Sequence, residues 1–107
     1  MSFTVSGSPP GAATLISPSG TISTRNPSYT WNAVPNATWF YLWVNDRTGA
    51  KIVTWYTAAQ AGCTSGTGTC SVTPSVALAS GTAQWWIQTW NDYGYGPWST
   101  GMGFIVP

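Results

Sequence analysis

Chemistry that needs a proton shuttle finds almost nothing to use in this chain. Histidine and glutamate are absent, and Asp46 and Asp92 are the only carboxylate side chains. They follow two strands expected to be antiparallel neighbours, which sets them at opposite ends of a sheet, on the order of 20 Å apart at ~3.3 Å per residue. A glycosidase pair works at roughly 5–9.5 Å, so no catalytic residue is expected. Two separate aspartates also make a poor calcium site. Cys63 and Cys70 are the only cysteines. With no histidine and no further thiol they cannot complete a zinc site, so neither metal nor cofactor is expected. The residues between them, Thr64-Ser65-Gly66-Thr67-Gly68-Thr69, form a loop flexible enough to join the sulfurs. A disulfide is expected, with a reduced buried pair as the alternative, and it implies an oxidising compartment.

What remains is aromatic. Eight of 107 residues are tryptophan, against three cations and two anions. Indole offers a large apolar face and one N–H donor, and no acid–base function. One core of this size holds about three or four such rings; the others must lie on the surface, where a flat ring serves as a contact. Arg25, Arg47 and Lys51 are too few and too scattered to track a phosphate backbone, so neither nucleic acid nor an anionic membrane suits this surface. No run approaches the roughly 18 apolar residues of a membrane span. Met1–Val5 lacks the basic and apolar segments of a secretory signal, so the chain reads as an excised piece. A neutral coat of Ser, Thr, Asn and Gln is commoner outside the cell, and an extracellular or secreted location is expected.

These side chains must be positioned by strands. Helical periodicity is nearly absent, with Ser75–Ala79 as one candidate turn. Runs rich in Thr, Val, Trp and Tyr alternate with Gly, Pro, Asn and Ser. Strands are expected over Ala13–Ser17, Ser28–Ala33, Trp39–Asn45, Lys51–Tyr56, Cys70–Thr73, Thr82–Trp90 and Met102–Val106. Seven short strands in about 100 residues imply an all-β, two-sheet antiparallel sandwich. Met1-Ser2-Phe3-Thr4-Val5 repeats three positions of Met102-Gly103-Phe104-Ile105-Val106. This suggests a tandem array, in which 1–7 is the tail of a preceding repeat or linker and 8–107 the domain. The Pro/Gly-rich Ser6–Gly11 suits the linker role.

Leu15-Ile16-Ser17-Pro18, Tyr29-Thr30-Trp31-Asn32-Ala33-Val34, Leu78-Ala79-Ser80-Gly81-Thr82, Trp85–Asn91 and Gly96-Pro97-Trp98-Ser99 occur in an order and spacing that resembles a bacterial fibronectin type III domain. The resemblance implies a seven-stranded, immunoglobulin-like sandwich of the kind found as tandem repeats in secreted multidomain proteins. Trp31 would be a core residue and Trp98 a structural one. A tyrosine that usually ties the sixth strand back to its turn is missing, and Ala83 stands there.

Alternation along strands sorts the aromatics. Phe40, Leu42 and Val44 form an inner set, as do Ala83, Trp85, Ile87 and Thr89. The outer sets are Trp39, Tyr41, Trp43, Asn45 and Gln84, Trp86, Gln88, Trp90. The resemblance makes these strands neighbours, so Tyr41, Trp43, Trp86 and Trp90 would share one face with Gln84, Gln88 and Asn45, as coplanar rings. Trp39 or Trp55 would extend this face, and Tyr93-Gly94-Tyr95-Gly96 is read as a turn-shaping loop, with its two tyrosines as an added binding edge in the alternative. Indoles flanked by neutral amides suit the stacking of pyranose rings. A non-catalytic module that binds a neutral polysaccharide is therefore expected, monomeric in isolation. The alternative is a spacer, or a repeat that interacts with protein, whose aromatics pack against sister domains.

Overall fold

The computed structural model describes residues 7–107, so the expected match of Met1–Val5 to the last strand lies outside the described residues. The strands in chain order are β1 (Leu15–Ser17), β2 (Gly20–Thr21), β3 (Tyr29–Asn32), β4 (Trp39–Asp46), β5 (Gly49–Thr57), β6 (Thr69–Val72), β7 (Gly81–Asn91), β8 (Gly94–Trp98) and β9 (Met102–Val106). They form a sandwich of two sheets, ordered β1-β3-β6 and β2-β9-β7-β4-β5, with β8 also paired to β7. Seven strands overlap the expected ones. The two additions are β2, which runs parallel to β9, and β8, which occupies the segment read as a loop.

The core comes from one parity of each central strand. Phe40, Leu42 and Val44 of β4 and Ala83, Trp85, Ile87 and Thr89 of β7 are all buried, so the register expected for the sixth strand is the observed one. Trp31 crosses from the smaller sheet to meet Phe40 at 5.4 Å and Trp85 at 6.4 Å between ring centroids. Tyr29 presents an edge contact to Trp85 at 5.3 Å. Burial pushes the Tyr29 phenol above its ordinary range. Cys63 and Cys70 form a disulfide, with Cα atoms 5.1 Å apart, that ties the loop after β5 to β6. Cys70 pairs with Trp31, so the bond closes on the core.

No helical turn forms over Ser75–Ala79. Leu78 is buried and donates its N–H to the Arg25 carbonyl at 2.9 Å, while Ala79 donates to the Asp46 carboxylate at 2.8 Å. Tertiary partners take the donors that a local turn would have used.

Those contacts also answer the missing tyrosine. Ala83 is buried, and the turn before β7 is tied from the β4–β5 corner instead. Asp46 accepts from Ala79 N–H and from the Thr48 hydroxyl and N–H, in that order of importance; these donors hold its carboxyl at about 2, below the ordinary 3.8. Arg47 Nε donates to the Ser80 carbonyl at 2.9 Å, and its aliphatic stem lies over Gly81 (φ +124°), whose missing Cβ makes room for it.

Candidate functional site

The other parity of β4 and β7 faces outward and meets in register: Trp39 opposite Trp90, Tyr41 opposite Gln88, Trp43 opposite Trp86, and Asn45 opposite Gln84. Beyond β4, strand β5 sets Trp55 beside Tyr41 and Val53 beside Trp43. Beyond β7, strand β8 sets Tyr95 beside Trp90 and Trp98 beside Gln88. Six of the eight tryptophans therefore share one face. Trp31 and Trp85 are fully buried on the other side.

The placement of Trp98 and Tyr95 depends on a bulge. Between these two residues β8 has Gly96 and Pro97, where β7 has only Thr89. Gly96 turns inward, and a Cβ there would collide with Thr89 Oγ1 and the Pro10 carbonyl. Proline has no N–H to give a ladder and fits such a site. The extra residue brings Tyr95 and Trp98, three positions apart, onto the same face. Just after it, Ser99 holds Ile87 twice: its N–H donates to the Ile87 carbonyl at 2.8 Å, and its Oγ accepts the Ile87 N–H at 3.0 Å.

The rings are not coplanar, contrary to expectation. Tyr41 and Trp55 stack in parallel at 4.3 Å and 5°. Trp39 meets Trp55 at 85°, Tyr41 meets Trp43 at 79°, and Trp43 meets Trp98 at 83°. Edge-to-face contact aligns the positive ring edge with a negative face, which overrides the common plane of the strands. The result is two clefts. One, of about 470 Å³, is lined by Trp39, Trp55, Trp90 and Tyr95. The second, of about 410 Å³, is lined by Trp43, Asn45, Trp86, Trp98 and Ser99. Tyr41 and Gln88 lie between them. Neither cleft is lined by a charged side chain.

Polar groups at this face keep free positions. Asn45 Oδ1 accepts from Trp43 Nε1 at 2.8 Å, leaving the Asn45 NH2 unspent. Gln88 donates to the Gly96 carbonyl at 3.2 Å, leaving its Oε1 as an acceptor. Gly101 has a distinct role, because a Cβ there would stand 2.5 Å from both Gln84 Nε2 and Trp86 Nε1. The Trp86 ring lies over this bare stretch of backbone.

Of the seven residues singled out from the sequence, Trp90 lines the first cleft and Trp43, Trp86 and Asn45 the second. Tyr41 and Gln88 form the ridge. Gln84 lies beyond the second cleft, in a smaller dent of about 210 Å³ shared with Asn45 and Asp46. Trp39 and Trp55, expected as an extension of the face, and Tyr95, expected as an added edge, belong to it, as does Trp98, which the sequence did not place there. Trp98, to which the resemblance gives a structural position, is 42% exposed on this face. Its signal was Gly96-Pro97, a dipeptide that breaks strand parity. Asp46 and Asp92 stand at opposite ends of the β4–β7 pair, and no cluster of three His, Cys, Asp or Glu side chains forms among the described residues.

No protein-family model and no curated protein matches the chain. Among solved structures it is similar to chitinase ChiW from Paenibacillus sp. str. FPU-7, described as a bacterial cell-surface-expressed multi-modular enzyme. The match covers 97% of this chain and 9% of the chitinase, with a TM-score of 0.64 and 19% identity. The likeness is one of fold, and the chain spans only one small part of that enzyme's length.

Proposed function

We propose that this domain is a non-catalytic binding module whose outer β5-β4-β7-β8 face takes a neutral polysaccharide. One observation carries the reading: six tryptophans and two tyrosines converge on a face whose clefts have no charged side chain. Apolar C–H faces of pyranoses stack on indole, and hydroxyl groups exchange hydrogen bonds with Asn45 and Gln88 at no cost of desolvating an ion. A single-stranded nucleic acid would need a cationic track beside the rings. Arg47 lies instead over Gly81, Arg25 donates to the Pro107 carbonyl, and Lys51, exposed on β5, is a single cation that lines neither cleft.

The disulfide supports an oxidising, extracellular setting. The sandwich shared with part of a cell-surface chitinase supports a place within a longer, multidomain secreted protein. Affinity electrophoresis against a panel of neutral polysaccharides tests the binding role. Retardation by at least one, with a change in tryptophan fluorescence, is expected; no retardation by any, with unchanged fluorescence, overturns it.

A second reading rests on the rings' own contacts. The Tyr41–Trp55 stack shows that part of the face is already engaged with itself, as cross-strand packing in a spacer would be. In that case the remaining aromatics pack on sister domains. A two-repeat protein would then shield Trp43 and Trp86 from a fluorescence quencher relative to one repeat, and equal quenching excludes it.

A further inference from the structure

Resting on the carbohydrate reading, we infer that the ligand is a single extended glycan strand bridging two subsites, rather than the flat surface of a crystalline polysaccharide. The outer face repeats one unit. Trp39 and Trp90 are directly paired in one cleft, Trp43 and Trp86 are directly paired at the other, and Tyr41 with Gln88 fills the step between. The pairs are four residues apart, ~13 Å at ~3.3 Å per residue, so no single sugar reaches both and about three linked pyranoses do. A crystalline surface would require rings in one plane. Here three neighbouring pairs cross at 79–85°, Tyr41–Trp98 and Trp55–Tyr95 are tilted at 37° and 42°, and only Tyr41 and Trp55 are parallel, face to face with one another. Such walls enclose a chain from the side and cannot all lie flat on a lattice. The polar groups fit the same path. The Gln88 Oε1 acceptor sits at the ridge and the Asn45 NH2 donor at the second cleft, where one strand passing over both would present hydroxyl groups in turn.

Gly101 is a positioning residue for the second subsite. It touches no ligand itself, but its lack of a Cβ lets Trp86 and Gln84 settle against the backbone. Alanine there would displace the indole from the cleft without removing any aromatic group.

The test titrates the intact domain, by calorimetry, with soluble neutral oligosaccharides from disaccharide to hexasaccharide, cut from the polysaccharide that retards it. Parallel pull-downs use that polysaccharide in crystalline and in swollen, amorphous form. Affinity is expected to rise at least about tenfold between disaccharide and hexasaccharide, because the second subsite then acts at high effective concentration. Trp90→Ala and Trp86→Ala should each flatten that length dependence, as should Gly101→Ala, whose near-ultraviolet circular dichroism and melting temperature report whether it folds. Equal affinity for all lengths overturns the two-subsite inference, and so does binding to the crystalline form alone; both leave the carbohydrate reading intact. Binding to no polysaccharide at all removes the reading itself.

Discussion

Trp85 and Trp86 are sequence neighbours on one strand, and they belong to different environments. The inner face of β4 and β7 is closed: Phe40, Leu42, Val44, Trp85 and Ile87 pack against Trp31 and Tyr29. Two of its polar atoms, the Tyr29 hydroxyl and Trp31 Nε1, are sealed in the core with no hydrogen-bond partner among the described residues, and the rest are spoken for. Asp46 has three donors, Thr89 Oγ1 donates to the Gly11 carbonyl, and the Asn91 NH2 donates to the carbonyls of Ser8 and Asn36. The outer face carries more aromatic rings on the same two strands and their neighbours, but its amides keep free hydrogen-bonding positions and its rings bound open clefts. Most inner polar groups are saturated and the two that are not are sealed from solvent, whereas the spare positions of the outer face are open to something that arrives later.

The contrast is sharpest in substitution at adjacent positions. Trp85→Ala removes a fully buried ring that meets Trp31 and Tyr29, and that donates its Nε1–H to the Pro18 carbonyl at 3.1 Å. A loss of about 3–5 kcal/mol is expected, enough to unfold much of the population. Urea unfolding followed by tryptophan fluorescence measures it. Retention of wild-type stability would mean that the inner face is not the core.

The disulfide belongs to the inner side of the comparison, because Cys70 lies opposite Trp31 and both sulfurs' residues are buried. Closing an eight-residue loop restrains the unfolded chain by about 2.5 kcal/mol on the entropic model. Reduction, or Cys63→Ser with Cys70→Ser, should lower the denaturation midpoint accordingly. The binding face should stay intact under conditions where the reduced protein remains folded. Loss of oligosaccharide binding in parallel with the bond, without unfolding, would show that the two faces are coupled.

Asp46 is where the inner alternation ends in a carboxylate. Its pKa is lowered on folding, so the stability it contributes is complete above the unfolded value of about 3.9 and is lost as pH falls through about 2. Asp46→Asn turns one acceptor oxygen into a donor facing an N–H, with an expected cost of about 1–2 kcal/mol at neutral pH. The difference in melting temperature between the two proteins should therefore shrink between pH 5 and pH 2. A constant difference would mean that Ala79 and Thr48 do not depend on the charge.

Strand alternation made the centre of this molecule legible from sequence. Two long runs with amides at alternate positions, Asn45 and Gln84 with Gln88, could be oriented because an unpartnered amide does not belong in a core. Legibility ended where alternation ended. Tyr95 and Trp98 are separated by an odd number of positions, and only the bulge at Gly96-Pro97 unites them. Trp55 stayed ambiguous because β5 alternates weakly: Thr54 and Tyr56 on one side are hardly more apolar than Val53 and Trp55 on the other. The crossed ring planes depend on side-chain packing among β4, β5 and β8, which no single strand's pattern contains. Ser75–Ala79 misled for a similar reason, since Arg25 and Asp46, which take its donors, are distant in sequence.

The smallest stability effect is expected one residue from the largest. Trp86→Ala removes a half-buried ring opposite Trp43, and cross-strand aromatic pairs contribute no more than about 1 kcal/mol. Unfolding should shift by that amount or less, while the second cleft loses one wall. A loss of several kcal/mol would show that the ring is needed to hold the sheet, and the face would then be structural. Near-neutral stability with weakened oligosaccharide binding is the outcome that separates the faces, because the two changes differ by a single step along β7. Trp98→Ala extends the same test to β8. Its ring reaches both Tyr41, at 5.8 Å, and Trp43, at 6.3 Å, so it should weaken binding while the buried side of β7 stays as it was.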